Sequence, residues 1–207
     1  MAALSSREEI YGGKPVTTGT SRRNFLVAAA AIAAGTGVLF NRFARAATTI
    51  VSTPGKVTIE KFDDAGKSLG MATVDKVVKS EADWKAQLKD DLTFEVTRQE
   101  GTEGAFTGPY WDNHAAGLYR CICCGNALYT SDTKFESGTG WPSFWQPIAK
   151  ANVVEARDTT FGMLRTKISC TECDAHLGHV FDDGPQPTGL RYCMDGVALR
   201  FIPRPAA

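Results

Sequence analysis

Two Cys-x-x-Cys pairs, Cys121/Cys124 and Cys170/Cys173, constrain this chain more than any other feature. Each pair sets two thiolates on one tight turn, where they can hold a single ion at about 2.3 Å from each sulfur. Together they complete a tetrahedral four-thiolate shell with no open position, which makes the site structural rather than catalytic. Zinc is the ion expected. Whatever fold the chain adopts must therefore bring two turns distant in sequence into contact. A pair of disulfides is the rival reading, chemically reasonable for an exported chain. Cys123, inside Cys121-Ile122-Cys123-Cys124, lacks the ligand spacing and is left over.

Cys193 stands outside the shell. If residues 191–195 form a strand, Arg191, Cys193 and Asp195 share one face. A guanidinium beside a cysteine favours the thiolate, whereas an ionised Asp195 opposes it. The bland alternative is a small buried core residue. His176 and His179 lie close in sequence, three apart around Gly178. They can be ligands, but the shell is already full; they can be structural; or they can deliver protons, since imidazole titrates near neutral pH. Asp183, four residues beyond His179, can orient one of them.

Charge divides the chain. Residues 1–46 carry six Lys or Arg against two Asp or Glu, and the rest carries 17 against 21. An acidic body without a basic run argues against nucleic-acid binding. The basic excess has its own explanation: Ser21-Arg22-Arg23-Asn24-Phe25-Leu26 opens a 16-residue apolar run ending at Phe40, followed by Ala44-Arg45-Ala46. A membrane-spanning helix needs about 20 apolar residues. A charged start, a short apolar middle and a small-residue exit describe an export signal, and the paired arginines resemble a bacterial twin-arginine signal. Residues 1–46 are read as a cleaved signal that sends the body to the periplasm, with no membrane attachment afterwards. The alternative is an uncleaved anchor facing the periplasm.

Residues 47–79 read as an N-terminal extension and 80–207 as the main domain. Val57 and Ile59 alternate weakly, as in a short strand. Ser80 begins a helix with acidic residues in its first turn and Trp84 and Leu88 on its apolar face. Phe94-Glu95-Val96-Thr97 reads as extended. Residues 101–117, with four glycines and Pro109, form a long loop of the kind that is functional or wraps a surface. From Leu118 onward short strands are broken by turns, with a glycine-rich turn at 137–142 bearing Trp141. Half-buried strands are expected at 152–156 and 163–168. A last strand or strand pair, 190–201, is interrupted at Asp195-Gly196. Turns recurring about every ten residues predict a β-sandwich or barrel.

With these residues assembled, the chain resembles a methionine-R-sulfoxide reductase of the B type over residues 80–203. The matching segments are Gly101-Thr102-Glu103, Tyr110 to His114, both cysteine pairs, Lys134 to Phe144, His176 to Phe181 and Arg191-Tyr192-Cys193. The resemblance implies two packed antiparallel sheets (β-tent-like) with short N-terminal helices and a structural zinc site. It also implies a mechanism, in which Cys193 attacks the sulfoxide sulfur, methionine leaves, and a sulfenic acid remains on Cys193. Trp141 would wall the substrate S-methyl group, His176 and His179 would bind and protonate the oxygen, and Asp183 and Arg191 would support them.

Two departures stand out. Asp195 replaces the usual Asn, and Thr139 occupies a position where many relatives hold a resolving cysteine. Cys123 is then the one thiol left for an internal disulfide, and its direction is fixed by the metal turn. The expected partners are oxidised proteins or peptides carrying methionine sulfoxide, possible free methionine sulfoxide, and an external thiol or thioredoxin-like reductant acting on a monomer. The alternative functions are a non-enzymatic zinc-stabilised β-domain that binds a protein partner, and a thiol-disulfide exchanger using Cys-x-x-Cys.

Overall fold

The computed structural model describes residues 49–158 and 165–204. The expected export signal, residues 1–46, lies outside them, as do Met163 and Leu164 of one expected strand. Among the described residues, no helix is long and apolar enough to cross a membrane.

The chain opens with a hairpin of β1 (Lys56–Phe62) and β2 (Ser68–Asp75). Helix α1 (Glu81–Leu88) begins where Ser80 predicts it: the Ser80 hydroxyl accepts the Asp83 N–H at 3.1 Å. Trp84 is buried and Leu88 packs against the core. A second helix, α2 (Asp91–Gln99), occupies the stretch 94–97 that was expected to be extended. The missed signal is Asp90, whose carboxylate accepts the Thr93 N–H at 2.7 Å. Capping of this kind is worth about 1 kcal/mol, and burial of Phe94 and Val96 adds about 1.5–3 kcal/mol each. The lower helix propensity of Thr and Val costs only about 0.5 kcal/mol per residue, so the helix wins.

After the loop, the remaining strands are short. They are β3 (Gly117–Cys121), β4 (Ala127–Thr130), β5 (Lys134–Phe135), β6 (Ser143–Phe144), β7 (Val153–Asp158), β8 (Arg165–Cys170), β9 (His176–Phe181), β10 (Arg191–Met194) and β11 (Leu199–Pro203). They form a six-stranded sheet, β5-β6-β10-β9-β8-β7, and a three-stranded sheet, β11-β3-β4, beside the β1-β2 pair. Every pairing is antiparallel. The mainly-β architecture with antiparallel sheets and two helices is the one expected.

The two larger sheets meet through aromatic side chains. Tyr129 stacks on Phe144 at 4.4 Å between ring centres, and Tyr119 meets the same ring edge-on at 5.1 Å. Such pairs add about 1 kcal/mol each beyond their area. The expected last strand pair divides at Asp195: β10 belongs to the large sheet and β11 to the small one. Residue 195 therefore sits at the crossing between them.

The hairpin is tied to the domain by polar contacts. The Asn152 side chain accepts the Glu60 N–H at 2.8 Å and donates to the Glu60 and Ala127 carbonyls at 2.9 and 2.8 Å. Just beyond β2, the Val77 N–H donates to the Glu172 carbonyl at 2.8 Å, and Lys76 pairs with Asp174 at 2.6 Å. Both of these partners belong to the second cysteine turn.

Candidate active site

The two cysteine turns are built alike. In each, the first cysteine carbonyl accepts an N–H from four residues on: Gly125 to Cys121, and Asp174 to Cys170, both at 2.9 Å. The first cysteine N–H then donates to the residue after that, Asn126 or Ala175. Closing the turn this way puts residue 125 at φ +83° and residue 174 at φ +58°. Gly125 takes that conformation without cost, and aspartate is one of the few other residues that tolerates it.

The turns bring Cys121 Sγ to 3.7 Å from Cys173 Sγ, and Cys124 Sγ to 3.6 Å from Cys170 Sγ. All four sulfurs lie within 4.8 Å of one another. A tetrahedron with bonds of about 2.3 Å has edges of about 3.8 Å, so the donor set fits a metal ion closely. Cys123 is not part of it; its side chain is buried in the core. Helix side chains hold the turns from outside. Arg98 donates to the Cys173 carbonyl at 2.9 Å while stacking on Trp84, and Gln87 donates to the Cys123 carbonyl at 2.7 Å.

Cys193 lies on the other face of the chemistry. On β10 it is directly opposite Ser143 of β6 on one side and His179 of β9 on the other. Opposite residues on antiparallel strands point the same way, so the thiol, the imidazole and the hydroxyl share a face. Tyr192 and Met194 point into the core. Arg191, two residues back, stands opposite Phe181 and stacks on its ring at 4.5 Å. Asp183 grips that guanidinium with both oxygens, at 2.9 and 2.8 Å, and the pairing holds the Asp183 carboxyl below its ordinary range. Asp183 thus orients the arginine, where the sequence suggested a histidine.

His176, buried at the start of β9, packs edge-on against His179 with ring centres 5.3 Å apart. Gly178 between them has φ +142°, and a Cβ there would lie 2.2 Å from the Cys193 carbonyl. Gly178 thus permits the close approach of β10, and the β8-β9 register shifts between the partners of Gly178 and His176, an irregularity that lets two residues three apart on one strand meet.

Burial pushes the Cys193 thiol up. The Arg191 guanidinium and the Thr139 hydroxyl pull it down, Asp195 pushes it up again, and the Ser143 hydroxyl pulls it down. Trp141 sits in the turn before β6, its indole N–H donating to the Glu103 carbonyl at 3.3 Å.

Glu103 is the residue whose role the sequence did not disclose. It is buried, and its carboxylate accepts the N–H groups of Gly196 and Val197 at 2.6 and 3.0 Å. Its own N–H donates to Asp195 at 3.0 Å. One residue of the long loop thereby fixes both the indole and the segment that follows Cys193. Burial pushes the Glu103 carboxyl up, against the pull of the two N–H donors. Asp195, buried beside it, is pushed up to about 7 by burial, the Glu103 N–H opposing and the Glu103 charge adding to the rise. A cleft of about 400 Å³, lined by Trp145, Glu155, Leu190 and Tyr192 among others, shares none of these site residues.

The SelR domain profile matches residues 89–203, more than half of the chain. The chain belongs to the B-type methionine sulfoxide reductase family. Among its relatives, the peptide methionine sulfoxide reductase MsrB of Hahella chejuensis is 56% identical over 128 residues, which are 62% of this chain and 91% of the relative. That of Herminiimonas arsenicoxydans is 52% identical over 131 residues, 63% and 95% of the two chains. That of Agrobacterium fabrum is 53% identical over 131 residues, 63% and 96%. Membership in this reductase family removes the non-enzymatic alternative, and the four-sulfur cluster fits the metal site of such a domain.

Proposed function

We propose that this chain reduces methionine-R-sulfoxide in oxidised proteins, and as the free amino acid, with Cys193 as nucleophile. The Cys193 sulfur attacks the sulfoxide sulfur, a proton reaches the oxygen, methionine departs, and the oxygen stays on Cys193 as a sulfenic acid. His179 and His176 bind and protonate the oxygen, Trp141 walls the S-methyl group, and Arg191, held by Asp183, favours the thiolate. Because methyl and oxygen are held separately, a single epimer is accepted. Two equivalents of an external thiol then return the cysteine, giving water and a disulfide of the reductant. Cys123 is the one spare thiol, and its burial beside the metal turn favours external recycling.

The observation that carries this reading is the cross-strand register, which sets Cys193 directly opposite His179 with Arg191 on the same face. The test is turnover of separated R and S peptide sulfoxides with dithiothreitol. Loss of only the R epimer by the native chain, and of neither by Cys193→Ser, is expected. Full activity in Cys193→Ser overturns it.

The metal is proposed to be zinc, held by Cys121, Cys124, Cys170 and Cys173. When bound, it cross-links the two turns. Export through the twin-arginine route is proposed from Arg22-Arg23 and the apolar run that follows. Replacing both arginines with lysine should keep the protein in the cytoplasm; unchanged periplasmic recovery would count against it.

A further inference from the structure

The turn between β5 and β6 and the first residue of β6 carry three hydroxyls in contact. Ser143 Oγ lies 2.8 Å from Ser137 Oγ, Ser137 Oγ lies 2.8 Å from Thr139 Oγ1, and Thr139 Oγ1 lies 3.9 Å from Cys193 Sγ. The far end of the row is the Trp141 carbonyl, 3.2 Å from Ser143 Oγ. Each hydroxyl has one hydrogen to give, and Ser143 is the donor to Ser137, which sets the direction of the row at that end. With Cys193 neutral, its S–H can donate to Thr139 Oγ1 or the sulfur can accept from it. With Cys193 ionised, the sulfur can only accept.

The accounting then closes. Ser137 Oγ accepts from Ser143 and also from the Thr139 N–H at 3.4 Å. With both lone pairs used, its own hydrogen goes to Thr139. The Thr139 hydrogen is left for the sulfur. Aligned hydroxyls polarise one another, so removal of an early member weakens the last donor.

We propose that Ser143, Ser137 and Thr139 form a directional hydroxyl row that aims a hydrogen-bond donor at the Cys193 thiolate, Ser137 acting as a positioning residue through Thr139. Its catalytic value rests on Cys193 being the nucleophile proposed above. The other charged or titratable groups around Cys193 are Arg191 and Asp195 on its own segment, with Glu103 behind Asp195, and His179 opposite it on β9 with His176 edge-on to that ring, while the Ser143 hydroxyl also favours the thiolate directly. Residues 137–144 bring hydroxyls and aromatic rings but no charge.

The test is the pH profile of iodoacetamide labelling at Cys193, read by mass spectrometry of its peptide in the full chain. It reports on this thiol whether or not it is the nucleophile; that separate question falls to the turnover of Cys193→Ser. Ser137 and Thr139 are only partly buried, so their variants fold. Ser137→Ala and Thr139→Val are each expected to raise the labelling midpoint by about half to one pH unit. Thr139→Ser, which keeps the hydroxyl, should leave it near the native value. The Ser137→Ala/Thr139→Val pair should shift it no further than Thr139→Val alone, because Ser137 reaches the sulfur through Thr139. An unmoved midpoint in Ser137→Ala, or additive shifts in the pair, overturns the proposal.

Discussion

The molecule uses cysteine in two ways that share almost no construction. The metal site takes its four sulfurs from two short turns, each closed by its own backbone hydrogen bonds. Cys193 takes its surroundings from β6, β9, the 101–117 loop and the turn at 137–142, none of them next to it in sequence. The first is local geometry made twice and then joined. The second exists only once the sheets have formed. Damage to the metal site should therefore destroy both, whereas damage around Cys193 should leave the metal in place.

Removing one ligand gives the largest expected effect. Cys121→Ala should lose the ion and destabilise the domain by an amount of order 10 kcal/mol, read as metal content and thermal unfolding; a stable metal-free variant with normal turnover would break the asymmetry. Next comes Cys193→Ser, which should cost at least about a thousandfold in turnover with metal content and melting temperature unchanged. Metal loss in that variant would mean that the two sites are coupled in both directions.

Asp195→Asn reads the charge at the sheet crossing. Its folded pKa of about 7 lies above the ordinary value of 3.8. The stability that its protonation confers is therefore complete below about pH 3.8 and is lost as pH rises through 7. Asparagine has no such loss. The variant should gain on the native protein by about 1.4 kcal/mol per pH unit up to pH 7, then hold a constant lead. It should also lower the labelling midpoint of Cys193. Parallel stability curves from pH 5 to 8 would show that the carboxyl is not held in this way. Glu103→Ala should cost about 2–3 kcal/mol, since it strands the buried Gly196 N–H and the partly buried Val197 N–H, and should lower turnover without releasing metal. Smallest is Gly125→Ala, at about 1 kcal/mol for a side chain in the left-handed region, which should speed metal loss to a chelator yet leave saturated activity alone.

The same contrast decides what could be read in advance. Cys-x-x-Cys spacing is a local signal, and the turns around it need nothing from elsewhere. Most strands after Leu118 were legible because their turn residues are local too, but β5, β6 and β9 were not read as strands. Helix α2 was missed because Phe94 and Val96 mimic alternation while the deciding residue, Asp90, precedes them. At the candidate site, Arg191 and Cys193 could be put on one face from strand geometry alone. That His179 stands opposite Cys193 depends on register, which no spacing reveals. Glu103 was visible only as part of a matching segment, because its carboxylate serves amides 93 and 94 residues away. Ser137 and Ser143 looked like ordinary turn residues for the same reason.

The ties between the N-terminal hairpin and the second cysteine turn have a consequence in time rather than in energy. The amide hydrogens of Glu60 and Val77 are held by Asn152 and by the Glu172 carbonyl, so each can exchange with solvent only while its bond is open. Val77 is bonded directly to the turn that carries Cys170 and Cys173. Glu60 is bonded to Asn152, whose own carbonyl accepts the Thr171 N–H of that turn at 3.2 Å. Deuterium uptake at these two amides is thus a clock for the opening of the metal turn, and it runs whether or not any substrate is present.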